Sequence, residues 1–220
     1  MQYLFFALFL GVSVWHLVDS WRDIPGNRAK TKPFLIPLLL LAYVAAAKEV
    51  SWVLVAALAA SWLGDVLLIP KGTKWFVSGG ISFLVSHILF ILVYVTSGAD
   101  LTKANLFILL PAAAVYVAVS VAVTLSLKDN CPKMMLAPMI LYLVANSALN
   151  VFALTLMMTL RSPGAILAYV GAVFFFISDC TLYLVRYHKK GDRIFKKHFT
   201  VMLTYLVGEA LITVGVWMIG

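Results

Sequence analysis

The chain has 220 residues, 63% of them apolar and only 12% charged, with a formal net charge of +8. Soluble domains are about 45–50% apolar and about 25% charged, and a soluble fold of this size has too little interior to hide such an excess. Composition therefore excludes a water-soluble domain. The basic residues fall between apolar runs instead of on one polar face, so they speak for membrane topology and against a nucleic-acid partner.

With lipid as the solvent, every backbone polar group needs an internal partner, which leaves helices or closed barrels. The apolar runs are continuous and do not alternate, which selects an all-α, polytopic transmembrane bundle. In chain order the predicted spans are Tyr3–Asp19, Pro33–Ala47, Ser51–Ile69, Phe76–Thr96, Asn105–Leu127, Met134–Leu160, Pro163–Tyr187 and Phe199–Ile219. A span needs roughly 17–25 residues, so the second is short and the sixth long enough to tilt or bend. The first run lacks a basic leader and a small-residue cleavage site, so it reads as a retained span and not a signal peptide. Brief connections make consecutive helices antiparallel neighbours within a single domain, residues 1–220. Cys131 and Cys180 lie far apart and form no metal or redox motif.

Lys and Arg set the expected orientation. Arg22, Arg28, Lys30, Lys32, Lys71, Lys74, Lys128, Lys133, Arg186, Lys189, Lys190, Arg193, Lys196 and Lys197 fall on one side of an eight-span bundle. Only Lys48, Lys103 and Arg161 fall on the other. The positive-inside rule places the first set in the cytoplasm and both termini on the non-cytoplasmic side. Leu63-Gly64-Asp65 and Ile177-Ser178-Asp179 sit at similar depth on spans of the same direction. They hint at an internal repeat of residues 1–97 in 105–220.

A carboxylate at the bilayer centre costs roughly 2.5–3.5 kcal/mol, so Asp65, Asp179 and Glu209 should face the bundle, together with His87, Asn146 and Asn150. His16 and Asp19 share a face at the inner end of the first span, where Asp19 is expected to pair with Arg22. Tyr142, Asn146 and Asn150 form one polar stripe at helical spacing. Tyr205, Glu209 and Thr213 form a second, and Asp179, Tyr183 and Arg186 a third descending toward the cytoplasm. Together they imply a polar cavity open to the cytoplasmic leaflet. Each has a plainer reading too: the asparagines as interhelical hydrogen bonders, Glu209 as a protonated donor, and Arg186 with the basic stretch Lys189 to Lys197 as topology signal and headgroup contact. Asp65 and Asp179, with no Lys or Arg one helical turn away, resist that reading best.

Thr31-Lys32-Pro33, Ser61-Trp62-Leu63-Gly64-Asp65, Ser82 through Phe90 (Ser-Phe-Leu-Val-Ser-His-Ile-Leu-Phe), Phe176-Ile177-Ser178-Asp179 and Tyr205 occur in that order. The set resembles the lysoplasmalogenase-like (YhhN) family over nearly the whole chain. The resemblance implies an eight-span hydrolase. It would cleave the vinyl ether bond of a lysoplasmalogen to a fatty aldehyde and glycerophosphoethanolamine or glycerophosphocholine. It carries the family's acidic positions onto Asp65 and Asp179, its histidine onto His87 and its lysine onto Lys32. One departure is Glu209, where the family often has glutamine.

The chemistry suits these residues. A vinyl ether is hydrolysed by protonation at its outer carbon and capture of the resulting oxocarbenium ion by water. Two carboxylates in different environments can divide those tasks, as in glycoside hydrolysis. Asp65 and Asp179 are the expected acid and base, in either order. His87 would orient one of them or the water, and Lys32 would grip the substrate phosphate. Tyr142, Asn146, Tyr205 and Glu209 would line the substrate cavity. No cofactor or metal is expected, and the partners are a lysophospholipid and the surrounding lipids. A bacterial cytoplasmic membrane is the expected home, or an endomembrane in a eukaryote. Two rivals are a zinc hydrolase built from His16, Asp19, Asp65, His87 and Asp179, and a proton-coupled carrier using the same carboxylates.

Overall fold

The structure, a computed structural model, describes residues 1–220 and is entirely helical. Its helices are α1 (Gln2–Trp21), α2 (Pro25–Ala46), α3 (Trp52–Leu67), α4 (Thr73–Thr96), α5 (Leu106–Leu127), α6 (Lys133–Leu160), α7 (Pro163–Tyr187) and α8 (Lys197–Ile219), with short 3₁₀ turns before α5 and α8. Seven of the eight are long and apolar enough to cross a membrane, which makes this an integral membrane protein.

The exception is α3, and here the expectation is corrected. The second apolar segment had looked short, but α2 begins two turns before Pro33, at Pro25 in the first helical position, where the missing N–H costs nothing. The polar stretch Asn27 to Lys32 is helix, not loop. Helix α3 has 16 residues and rises about 24 Å at 1.5 Å per residue, against a hydrocarbon core of about 30 Å. Its ends rest on protein. Ser51 caps its first turn by accepting from Leu54 N–H, and Trp62 Nε1 donates to the Pro33 carbonyl of α2 at 3.0 Å.

The bundle is apolar outward and polar inward. Phe107 on α5 is 93% exposed, whereas His87, Asn146 and Glu209 are fully buried. On α1 the buried residues Phe9, Ser13, His16 and Ser20 recur at helical spacing and face α2. His16 Nδ1 lies 2.7 Å from Thr31 Oγ1, which also faces the Asn27 and Arg28 carbonyls. Asp19 does not pair with Arg22. Asp19 is buried and outside every ion pair, while Arg22, three residues on, turns to the surface.

Without a hydrophobic drive between helices in lipid, small residues let backbones approach. On α7 and α8 these are glycines at seven-residue steps. A Cβ on Gly164 would sit 2.6 Å from the Gly215 carbonyl, and one on Gly171 would sit 2.7 Å from that of Gly208. The same device joins α3 to α4, where a Cβ on Gly64 would fall 2.6 Å from the Phe83 ring.

Candidate active site

Asp65 stands in the last turn of α3. Its Oδ1 lies 3.1 Å from Lys32 Nζ, and its Oδ2 accepts a 2.8 Å hydrogen bond from the Tyr205 hydroxyl of α8. Only the two-turn extension of α2 brings Lys32 within reach. Both carboxylate oxygens are thus engaged, one by a cation and one by a hydroxyl.

Asp179 is held differently. Its Oδ2 accepts from the Tyr142 hydroxyl at 2.8 Å and from Asn146 Nδ2 at 2.9 Å, both on α6. His87 Nε2 on α4 approaches the same oxygen at 3.2 Å, a distance fit for an ion pair but not aligned as a hydrogen bond. His87 Nδ1 lies 2.6 Å from the Phe83 carbonyl. A carbonyl can only accept, so Nδ1 bears a proton and Nε2 is the nitrogen that faces Asp179. Asp179 Oδ1 takes no hydrogen bond from the protein.

Both aspartates line one cavity of about 410 Å³ at the end of the bundle where the basic residues gather. Phe83 and Phe175 pack among the partners of the two aspartates. Each ring packs against Tyr205, at 5.8 and 5.6 Å between centroids, and Phe175 also packs against His87 at 4.8 Å. Next to it an apolar groove of about 380 Å³ runs between α4, α6 and α7, with Phe76 in both walls and Tyr142 and Tyr183 in its lining.

Of the residues expected to line the cavity, Lys32, Asp65, Asp179 and Tyr205 do so. His87, Asn146 and Tyr142 stand behind Asp179 as its partners, and Glu209 lies one turn deeper on α8 than Tyr205. Lys32 reaches the cavity wall paired with Asp65. The cations at the mouth are Arg186 and Lys197, with His198 beside them. The Arg186 guanidinium is stacked 3.8 Å from the Phe76 ring centre, and Lys197 is paired with Asp192 at 2.5 Å. The sequence places Arg186 on the polar stripe that descends from Asp179 and reads it, with the basic stretch that holds Lys197, as topology signal and headgroup contact; both stand at the cavity mouth. The five residues of the zinc alternative do not converge, for no three His, Cys, Asp or Glu side chains come together as a metal-ligating group.

The profile of the YhhN family matches residues 27–216. The chain belongs to the YhhN family. The match takes in both aspartates and every partner named around them, and leaves out His16 and Asp19 on α1. No curated protein and no solved structure matches the chain.

Proposed function

We propose that this YhhN-family protein is a membrane lysoplasmalogenase, hydrolysing the vinyl ether of a lysophospholipid with Asp179 as general acid and Asp65 as the fixed anion. The observation that carries this reading is the convergence on one cavity of two carboxylates in unlike settings, one tied to a cation and one with an open oxygen beside a histidine.

In this reading the Asp179–His87 pair carries one mobile proton, presented to the cavity on Oδ1. Its transfer to the outer vinyl carbon leaves an oxocarbenium ion beside the ionised Asp65. Water adds to the cationic carbon and gives a proton to a carboxylate. The hemiacetal then collapses as that proton passes to the leaving glycerol oxygen and the hemiacetal hydroxyl returns its own proton to the Asp179–His87 pair. The sum is vinyl ether plus water to aldehyde plus alcohol, with both aspartates restored. Positioned acid–base help contributes about 10²–10⁴-fold, and the anion adds electrostatic stabilisation of the cation in a site shielded from water.

The bipartite space suits the substrate. A lysolipid has one alkenyl chain, which fits the groove between α4 and α6, and one phosphate, which fits the mouth beside Arg186 and Lys197. On the positive-inside reading that mouth faces the cytoplasm and both termini lie on the opposite side. The test is direct. Purified protein incubated with a choline or ethanolamine lysoplasmalogen should release fatty aldehyde, and the ester-linked lysolipid with the same headgroup should not be cleaved. Uptake into proteoliposomes without aldehyde release would replace the hydrolase with a carrier.

A further inference from the structure

Trp21 closes α1, and two rings from the far end of the chain pack on it edge-on. Phe195, in the turn before α8, lies 5.4 Å away between centroids, and Phe199, in the first turn of α8, lies 5.1 Å away. Trp21 and Phe195 are exposed, at the end of the bundle where the basic residues gather. Aromatic rings at the end of an apolar span sit at the level of lipid headgroups.

Deeper along α1, a groove of about 430 Å³ runs between α1 and α8, lined by Val14, Leu17, Val18, Trp21, Arg22 and Phe199. Its walls are apolar except for Arg22 at the rim. A second cation stands there, for Lys196 Nζ lies 5.1 Å from the centre of the Trp21 ring. The acids nearby are engaged elsewhere. Asp23 faces Arg28 at 2.9 Å and His198 at 3.8 Å, and Asp192 pairs with Lys197. Asp19 is buried and does not line the groove. Arg22 and Lys196 are left without a carboxylate partner.

These features select an occupant. A lipid chain can cover any apolar wall of a span, so the rim decides which lipid is preferred. A choline or ethanolamine headgroup brings its own cation toward Arg22 and Lys196, whereas a glycerol headgroup leaves the phosphate charge uncompensated. Basic pockets between spans take anionic headgroups in this way.

We propose that the groove between α1 and α8 is a binding site for one anionic phospholipid, with a chain along Val14, Val18 and Phe199 and the phosphate between Arg22 and Lys196. The site is separate from the catalytic cavity, and the two linings share no residue. They back onto opposite sides of the first turn of α8, where Phe199 faces the groove and Lys197 and His198 face the cavity. The lipid therefore braces the turn that walls the cavity mouth. Its binding does not depend on the hydrolase reading.

Native mass spectrometry of the full chain in detergent tests it, with diacyl phosphatidylglycerol or diacyl phosphatidylcholine of the same chains added in turn. Wild type should retain one phosphatidylglycerol, and R22Q/K196Q should hold it about 25-fold more weakly, about fivefold for each cation near a charged headgroup. V18W fills the groove with the charges intact and should lose the lipid as well. K189Q/K190Q removes the same charge outside the groove, and R186Q removes a cation from the cavity mouth; both should retain the lipid as wild type does. All the substituted side chains are exposed, so the fold is kept. Four results would each overturn the proposal. Phosphatidylcholine held as tightly as phosphatidylglycerol removes the role of the rim. Equal loss in K189Q/K190Q reduces the effect to net charge. Loss in R186Q puts the lipid in the catalytic cavity. Undiminished retention by V18W leaves no chain in the groove.

Discussion

Replacing Asp179 with asparagine separates its chemistry from its packing. The asparagine side chain has the same shape, and its carbonyl oxygen can take the Oδ2 position, accepting from Tyr142 and Asn146 as before. The amide nitrogen then occupies the open position and has no proton it can transfer. Loss of general acid catalysis is worth about 10²–10⁴-fold, or about 2.7–5.4 kcal/mol of barrier at 1.36 kcal/mol per decade. The stability of the detergent-solubilised protein should change by less than about 1 kcal/mol, since no buried group loses its partner. Alanine should behave differently. It strands the Tyr142 hydroxyl and the Asn146 amide, each at a cost of about 1–3 kcal/mol, so D179A should be both inactive and destabilised by about 2–6 kcal/mol. Aldehyde release and a denaturation midpoint, measured on both variants, form the assay. Turnover by D179N within about threefold of wild type would refute the acid assignment. Equal destabilisation of D179N and D179A would refute the hydrogen-bond geometry behind it.

Three further outcomes follow from the same structure. Lys32→Met removes the cation from a buried pair and should destabilise by about 3–5 kcal/mol, whereas K32M/D65N, with no uncompensated charge, should regain most of that stability and remain inactive; thermal denaturation of the single and double variants decides it. Arg186→Gln removes a charged donor at the cavity mouth and should raise KM for the lysolipid about tenfold or more with kcat little changed, read from steady-state kinetics at varied substrate. Gly171→Ala places a Cβ 2.7 Å from the Gly208 carbonyl, a backbone atom that cannot swing aside. It should lower stability by about 1–3 kcal/mol, whereas Gly11→Ala, with open space around its Cβ position, should be tolerated in the same denaturation assay.

Much of this was legible because lipid makes polar residues conspicuous. Asp65, Asp179, His87, Asn146 and Glu209 stood out as costly residues inside apolar runs, and the structure turns all of them inward. Helical spacing also gave the Tyr142–Asn146 stripe, which grips one oxygen of Asp179. What escaped notice did so for physical reasons. The start of α2 was hidden because Asn27 to Lys32 is polar enough to pass for a loop and Pro33 looks like a boundary. Yet a proline in the third turn gives up one hydrogen bond without ending the helix, and Lys32 reaches Asp65 only because the helix continues through it. Arg186 stood on the polar stripe below Asp179, whereas Lys197 was one of fourteen basic residues that topology explains as well as binding does. Asp19 was assigned to Arg22 on sequence distance, but three residues along a helix carried one inward and the other to the surface. The hydrogen-bond setting that tells Asp65 from Asp179 depends on partners from other helices that no spacing within one helix encodes.

The glycine seam explains why the cavity lies where it does. Along α7 the close approaches to α8 fall at Gly164 and Gly171, opposite Gly215 and Gly208. One more step of seven residues reaches Ser178, and the matching step on α8 reaches Val201. The partners there are no longer glycines, and Ser178 Oγ instead donates to the Val201 carbonyl at 2.9 Å. Both residues line the cavity. The seam therefore holds α7 and α8 backbone to backbone through two rungs, and the third rung is a side-chain hydrogen bond at the cavity wall. Asp179 is the residue after Ser178, and Tyr205 is one turn beyond Val201. The two elements that bear Asp179 and the hydroxyl donor to Asp65 are thus locked at their far ends and open at the end where a lysolipid would enter. Widening the seam at Gly171 should for that reason alter the separation of Asp179 from Tyr205 as well as stability. A G171A protein restored to wild-type stability by second-site changes elsewhere should remain slower in aldehyde release, and full recovery of turnover with stability would break the link between seam and site.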